Sequence, residues 1–147
     1  MREIGIPESA VEKLSDPAAA DTTMLAYLGD AVYELYVRGL SVSRGQKKAR
    51  DMNRSSVSVG KADSQAEAAK ALMDLLTPEE QALMKRARNR TNTPTARGST
   101  PKAYKLATGF EALVGWLYVT GESDRLNEVL EKAVSILSET KPETKNE

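Results

Sequence analysis

Apolar residues recur three and four positions apart along most of this chain of 147 residues, and no stretch of useful length alternates as a strand does. This spacing is that of one face of an α-helix. The clearest example is the last repeat, which contains Leu126, Val129, Leu130, Ala133 and Leu137. The sequence therefore predicts an all-α fold, and its length suits one domain.

Start and stop signals divide this pattern into helices. Thr77, Pro78 and Glu80 form a capping box with proline at the first helical position. A loop rich in Thr, Pro, Gly and Ser covers residues 92–100, and Ser123 is expected to cap the last helix. The predicted helical segments are about 22–39, 46–76 with a break near 58–60, 78–89, 101–120, and the segment that follows Ser123.

The first of these segments is expected to end at Gly39. Its apolar, core-facing side is predicted to consist of Met24, Leu28, Ala31, Val32, Leu35 and Tyr36. A single domain is expected over residues 1–147, with a core at about 22–138 and a frayed polar tail.

The chain contains no cysteine and no histidine. Disulfides, zinc–thiolate sites, imidazole bases and Ser-His-Asp triads are therefore excluded. Catalysis would have to use carboxylates, hydroxyls or basic side chains, with a hard metal ion as the expected helper. The lack of cysteine and of a signal-peptide pattern at the N-terminus favours a cytoplasmic location.

Two acids interrupt apolar helical stretches. Asp30 lies in Leu28–Val32, and Glu111 lies in Gly109–Gly115. Each could be an ordinary acid paired with a basic group, as we expect for Glu34 with Arg38. If Asp30 and Glu111 met in the core, their repulsion would favour a cation between them, and Mg²⁺ suits two carboxylates plus water.

Basic residues cluster although the net charge is zero, with 21 basic and 21 acidic residues. Seven Lys or Arg and no acid lie between residues 85 and 105, and six basic residues face one acid between 44 and 61. Either segment could be a plain solvated surface, but clustered cations also bind phosphate backbones. The candidate RNA-binding residues are Lys85, Arg86, Arg88, Asn89, Arg90, Arg97, Lys102, Lys105, Arg54 and Lys61.

Two motifs resemble one family of enzymes. The stretch LAYLGDAVYE (25–34) resembles the signature helix of ribonuclease III, and FEALVG (110–115) resembles its second acidic helix. The stretches KRARN (85–89) and SQAE (64–67) are similar to the short bacterial subfamily, Mini-ribonuclease III, which lacks a double-stranded RNA-binding domain.

The resemblance implies an all-α homodimer that holds duplex RNA across both subunits. Each subunit would have one Mg²⁺ site and cut one strand, leaving 5′-phosphate and 3′-hydroxyl ends. Asp30 and Glu111 match the family's metal-binding acids, and Asp30 matches the residue singled out as catalytic. The subfamily implies trimming of the 23S ribosomal RNA precursor, and the sequence leaves open whether a ribosomal protein assists.

Two acidic positions of full-length ribonuclease III carry other residues here, Ala26 and Thr108. The short subfamily shares these losses, so we expect few direct metal ligands and weak Mg²⁺ binding. The alternatives are a catalytically weak or inactive RNA-binding, ribosome-associated protein of the same fold, and a helical interaction module without an RNA role.

Overall fold

The computed structural model describes residues 5–45, 62–90 and 101–140, except for the side chains of Ala62 and of residues 137–140. These ranges contain helices and no strand, so the predicted all-α fold is confirmed. The helices are α1 (Glu8–Leu14), α2 (Thr22–Ser43), α3 (Ala62–Leu72), α4 (Pro78–Arg90), α5 (Pro101–Val119) and α6 (Ser123–Thr140), with a 3₁₀ turn at Met73–Leu75 after α3.

The helix ends follow the sequence signals closely. At the start of α4, the backbone N–H of Glu80 donates to Thr77 Oγ1 at 3.1 Å and that of Thr77 donates to Glu80 Oε1 at 2.9 Å, which confirms the predicted capping box. The chain turns from α5 into α6 at Gly121, whose φ is 73°. There the N–H of Glu122 donates to Leu117 O at 3.0 Å, as in a Schellman motif.

Helix α5 is the centre of the molecule. It packs against α2, α3, α4 and α6, and buried residues occur on every side of it from Leu106 to Val119. A helix that is apolar all round is expected in the middle of a helical core. Each of its neighbours can therefore present a side chain to the same central helix.

Two predictions for α2 are wrong. The helix does not end at Gly39 but continues to Ser43, because one glycine costs a long helix only about 1 kcal/mol. The predicted core face is also rotated from the real one, which is centred on Leu25, Ala26, Gly29, Tyr33 and Val37. Of the predicted residues, Leu28, Val32 and Tyr36 are partly buried and pack against the core. Met24, Ala31 and Leu35 lie on the exposed side.

The hydrophobic core includes Leu14 and Ala20, which precede α2. The predicted loop at 92–100 and the predicted helical break near 58–60 lie outside the described residues. In the described ranges, every helix is too short or too polar to cross a membrane.

Candidate active site

Glycines allow α2 and α5 to approach each other closely. A Cβ added to Gly29 would overlap the carbonyl oxygen of Glu111, and one added to Gly115 would overlap that of Leu25. The two backbones therefore touch where most helix pairs are separated by side chains. Asp30 follows Gly29 directly, so its side chain starts beside the backbone of Glu111.

An aromatic pair fixes the register of this contact. The rings of Tyr33 and Phe110 are both fully buried and meet edge to face, with centroids 5.4 Å apart. Tyr33 lies three residues after Asp30, and Phe110 directly precedes Glu111. Sliding of α2 along α5 would break this pair, so the positions of the two acids are set by the packing around them.

The carboxyl groups of Asp30 and Glu111 share a hydrogen bond across the two helices. Burial, this hydrogen bond and the charge of Asp30 together raise the pKa of Glu111 to about 8. Asp30 is exposed to solvent, whereas Glu111 is partly buried. The Glu111 carboxyl group therefore keeps its proton near neutral pH.

Glu34 takes no part in this pair. Its Oε1 accepts from Nε of Arg38 at 3.1 Å, one turn later on α2, which confirms the expected ion pair. The two positions that carry acids in full-length ribonuclease III have no carboxylate here. Ala26 is buried, and the hydroxyl of Thr108 donates to the backbone carbonyl of Tyr104 at 3.0 Å.

The donor set fits a hard divalent cation. Two carboxylates meet, and a further buried polar group, the side-chain amide of Gln65 on α3, faces Glu111. Among the described residues, no three acidic side chains converge, so a bound ion would keep several waters, as Mg²⁺ commonly does. Asp30 and Glu111 are the residues that would hold it.

A basic cleft lies between the end of α4 and the start of α5. It encloses about 360 Å³ and is lined by Arg88, Asn89, Pro101, Lys102 and Lys105. Gly109 lets α5 pack closely on α4 here, because a Cβ placed on it would lie 2.9 Å from the carbonyl oxygen of Met84 and 3.8 Å from Cβ of Arg88.

The other predicted RNA-binding residues have different surroundings. Lys85 and Arg90 are exposed on α4. Arg86 is not a lining residue of the basic cleft, and its Nη2 donates to the carbonyls of Pro17 and Ala20 in the turn before α2. Arg54, Lys61 and Arg97 lie outside the described residues.

Sequence reasoning missed the positions of Gln65 and Arg86. Gln65 is a polar residue on the alanine-rich side of α3, next to Ala66 and Ala69, which are both buried. That pattern was the available signal that its amide enters the core. For Arg86 the sequence offered no signal, because its partners are backbone carbonyls nearly 70 residues earlier, at sequence separations of 69 and 66.

Comparison with known proteins decides the family. The model of the ribonuclease III domain matches residues 23–122, which contain both acids and the basic cleft. The chain belongs to the ribonuclease III family. Membership makes it an endoribonuclease.

Relatives named Mini-ribonuclease 3 match most of this chain. A Mini-ribonuclease 3 from a Thermoanaerobacter species is 41% identical over 79% of this chain and 82% of the relative. Another, from Symbiobacterium thermophilum, is 38% identical over 85% of this chain and 96% of the relative. A crystal structure of a Fusobacterium nucleatum protein has a TM-score of 0.71 at 26% identity, covering 78% of this chain and 92% of that one.

Proposed function

We propose that this endoribonuclease cleaves double-stranded RNA with Mg²⁺ held by Asp30 and Glu111, leaving 5′-phosphate ends. The observation that carries this proposal is the shared hydrogen bond of the two carboxyl groups across α2 and α5. Two acids in such contact either share a proton or share a cation. In a nuclease, the shared cation is the arrangement that leads to chemistry.

A bound ion would supply activation of a water and stabilisation of charge on the phosphate oxygens. The chain's own residues prepare the place for it. Glu111 is partly buried, while Asp30 is exposed and can reach a substrate from the solvent side. Asp30 is accordingly the better placed of the two to orient a water against a phosphodiester.

The basic cleft would bind the phosphate backbone of the duplex. Its cations Lys102 and Lys105 lie in the first two turns of α5, where the helix dipole adds positive potential, and Arg88 lies in the last turn of α4. Exposed Lys85 and Arg90 extend this surface along α4. We also propose Arg54, Lys61 and Arg97 as RNA-binding residues, on the basis of the sequence alone. Arg86 is assigned a different role, which is to hold the turn at Pro17–Ala20.

We propose a homodimer formed through the exposed side of α2. Met24, Tyr27, Ala31 and Leu35 follow at helical spacing, and Met24, Tyr27 and Leu35 are 52%, 80% and 52% exposed. An apolar stripe of this kind on one helix is typical of a protein interface. Cutting both strands of a duplex needs two sites, which two copies of this chain would supply.

The substrate we propose is the double-stranded stem of the 23S ribosomal RNA precursor. We place its processing in the cytoplasm. The names of the relatives, Mini-ribonuclease 3, support the subfamily on which this choice depends. Mapping of the cut ends on a precursor transcript, with and without ribosomal proteins, tests it.

The decisive experiment is cleavage of a perfect RNA duplex at increasing Mg²⁺ concentration. We expect Mg²⁺-dependent cuts in both strands by the wild type and a loss of at least 100-fold in rate for Asp30→Asn. Asp74→Asn is the charge-matched control, because Asp74 is exposed on the 3₁₀ turn, and it should cut normally. Full activity of Asp30→Asn, or equal activity with EDTA, would refute the proposal.

A further inference from the structure

Gln65 has a buried side chain with an unsatisfied donor. It lies on α3, which packs against α5, and only 2% of its surface is exposed. Its amide nitrogen Nε2 is inaccessible to solvent and makes no completed hydrogen bond with any described residue. A buried N–H group without a partner costs about 1–3 kcal/mol, so an unpaired amide in the core calls for an explanation.

The group that this amide faces is the carboxylate of Glu111. The interaction with Gln65 lowers the pKa of Glu111, opposite to the effects of burial and of Asp30. An N–H donor has this effect because it stabilises the ionised carboxylate. In the structure, Glu111 is hydrogen-bonded to Asp30, and the contact with Gln65 is short of a complete hydrogen bond.

We propose that Gln65 is a positioning residue for Glu111: its Nε2 donates to one carboxylate oxygen and so aims the other oxygen at the cation shared with Asp30. The amide suits this task because it is fixed by burial in α3, and α3 is a different element from those that carry the two acids. Partners of this kind commonly change metal affinity 10- to 100-fold. The inference rests on the proposed function, since it needs Glu111 to be a metal ligand.

The test is direct Mn²⁺ binding to the full chain without RNA, measured by the electron paramagnetic resonance signal of the free ion. Gln65→Met removes the donor and keeps a similar volume, and Gln65→Leu is a second variant in case one of them fails to fold. We expect about 10-fold weaker Mn²⁺ binding for both variants. The thermal midpoint without metal should stay level or rise, because an unpaired buried amide is gone.

Kinetics should separate positioning from packing. The cleavage rate of Gln65→Met should fall at low Mg²⁺ and recover at high Mg²⁺, while KM for duplex RNA stays within 2-fold of the wild type. Ser41→Ala is the matched control, because Ser41 Oγ on α2 is the other buried side-chain atom left without a partner in the described residues. It should leave Mn²⁺ binding unchanged.

Unchanged Mn²⁺ affinity in both Gln65 variants, or a loss that Ser41→Ala reproduces, would overturn the inference while leaving the proposed function intact. A lower thermal midpoint with unchanged Mn²⁺ affinity would do the same, and would assign Gln65 to packing. If the wild type itself bound no Mn²⁺, the proposed function and this inference would fail together. Weaker binding by the Gln65 variants alone supports the inference.

Discussion

At the scale of single residues, the sequence identified the two acids of the pair but not their burial or the pKa of Glu111. Asp30 and Glu111 stood out because each interrupts an apolar stretch. The sequence could not tell how deeply each acid is buried, because burial depends on the approach of α3 and α5 to α2. It is this burial, together with the hydrogen bond to Asp30, that raises the pKa of Glu111 to about 8.

The raised pKa of Glu111 predicts how stability depends on pH. Between its ordinary pKa of 4.5 and about 8, the folded chain binds a proton that the unfolded chain has released. Stability without divalent ions should therefore be fully present below about pH 4.5 and should fall as pH rises toward 8. Glu111→Gln, which stays neutral, should lose this dependence.

Thermal unfolding in EDTA at several pH values checks this expectation. The difference in midpoint between Glu111→Gln and the wild type should grow from pH 5 to pH 8. Glu79→Gln is the control, because Glu79 is exposed in the first turn of α4. Parallel pH curves for Glu111→Gln and the wild type would show that Glu111 ionises normally in the fold.

At the scale of helices, the periodicity located the elements and the turn chemistry located their ends. It failed on the orientation of α2, because that helix is apolar on two sides and its spacing does not say which side meets α5. Glycines decide the matter. Gly29 and Gly115 let the backbones touch, which turns Leu25, Gly29 and Tyr33 inward and Met24 and Leu35 outward.

The close contact of α2 with α5 predicts opposite effects at two glycines of the same helix. Gly29→Ala should destabilise the chain by about 3 kcal/mol, because its Cβ would meet the backbone of Glu111. Gly39→Ala should stabilise it by up to about 1 kcal/mol, because a Cβ there meets nothing within 4 Å.

Urea unfolding gives both free energies. Gly29→Ala should also weaken Mn²⁺ binding by the fraction that stays folded, because it moves the backbones of Asp30 and Glu111 apart. Equal stability of the Gly29→Ala and Gly39→Ala variants would contradict the packing described for α2 and α5.

At the scale of the whole molecule, the all-α fold and the single central helix follow from the sequence, whereas the exposed surfaces do not. The basic cleft exists because the end of α4 and the start of α5 meet, and those segments are separated along the chain by residues 91–100. The outward stripe on α2 was misassigned to the core, because the sequence shows apolar residues without showing what covers them.

The stripe on α2 predicts the effect of a charge on assembly. Leu35→Glu should convert a dimer into a monomer, because it places a charge in the middle of an apolar interface. Leu75→Glu is the control: Leu75 is 54% exposed but lies on the 3₁₀ turn, away from α2. Sedimentation equilibrium distinguishes the two, and a dimer that survives Leu35→Glu would place the interface elsewhere.

The central claim is that the carboxylates of Asp30 and Glu111 share one divalent cation within a single protomer. Anomalous diffraction from a crystal soaked in Mn²⁺ tests it most directly. We predict a peak within coordination distance of both side chains, with water completing the ligands. A peak bound to only one of the two acids, or no peak at the pair at saturating Mn²⁺, would contradict it.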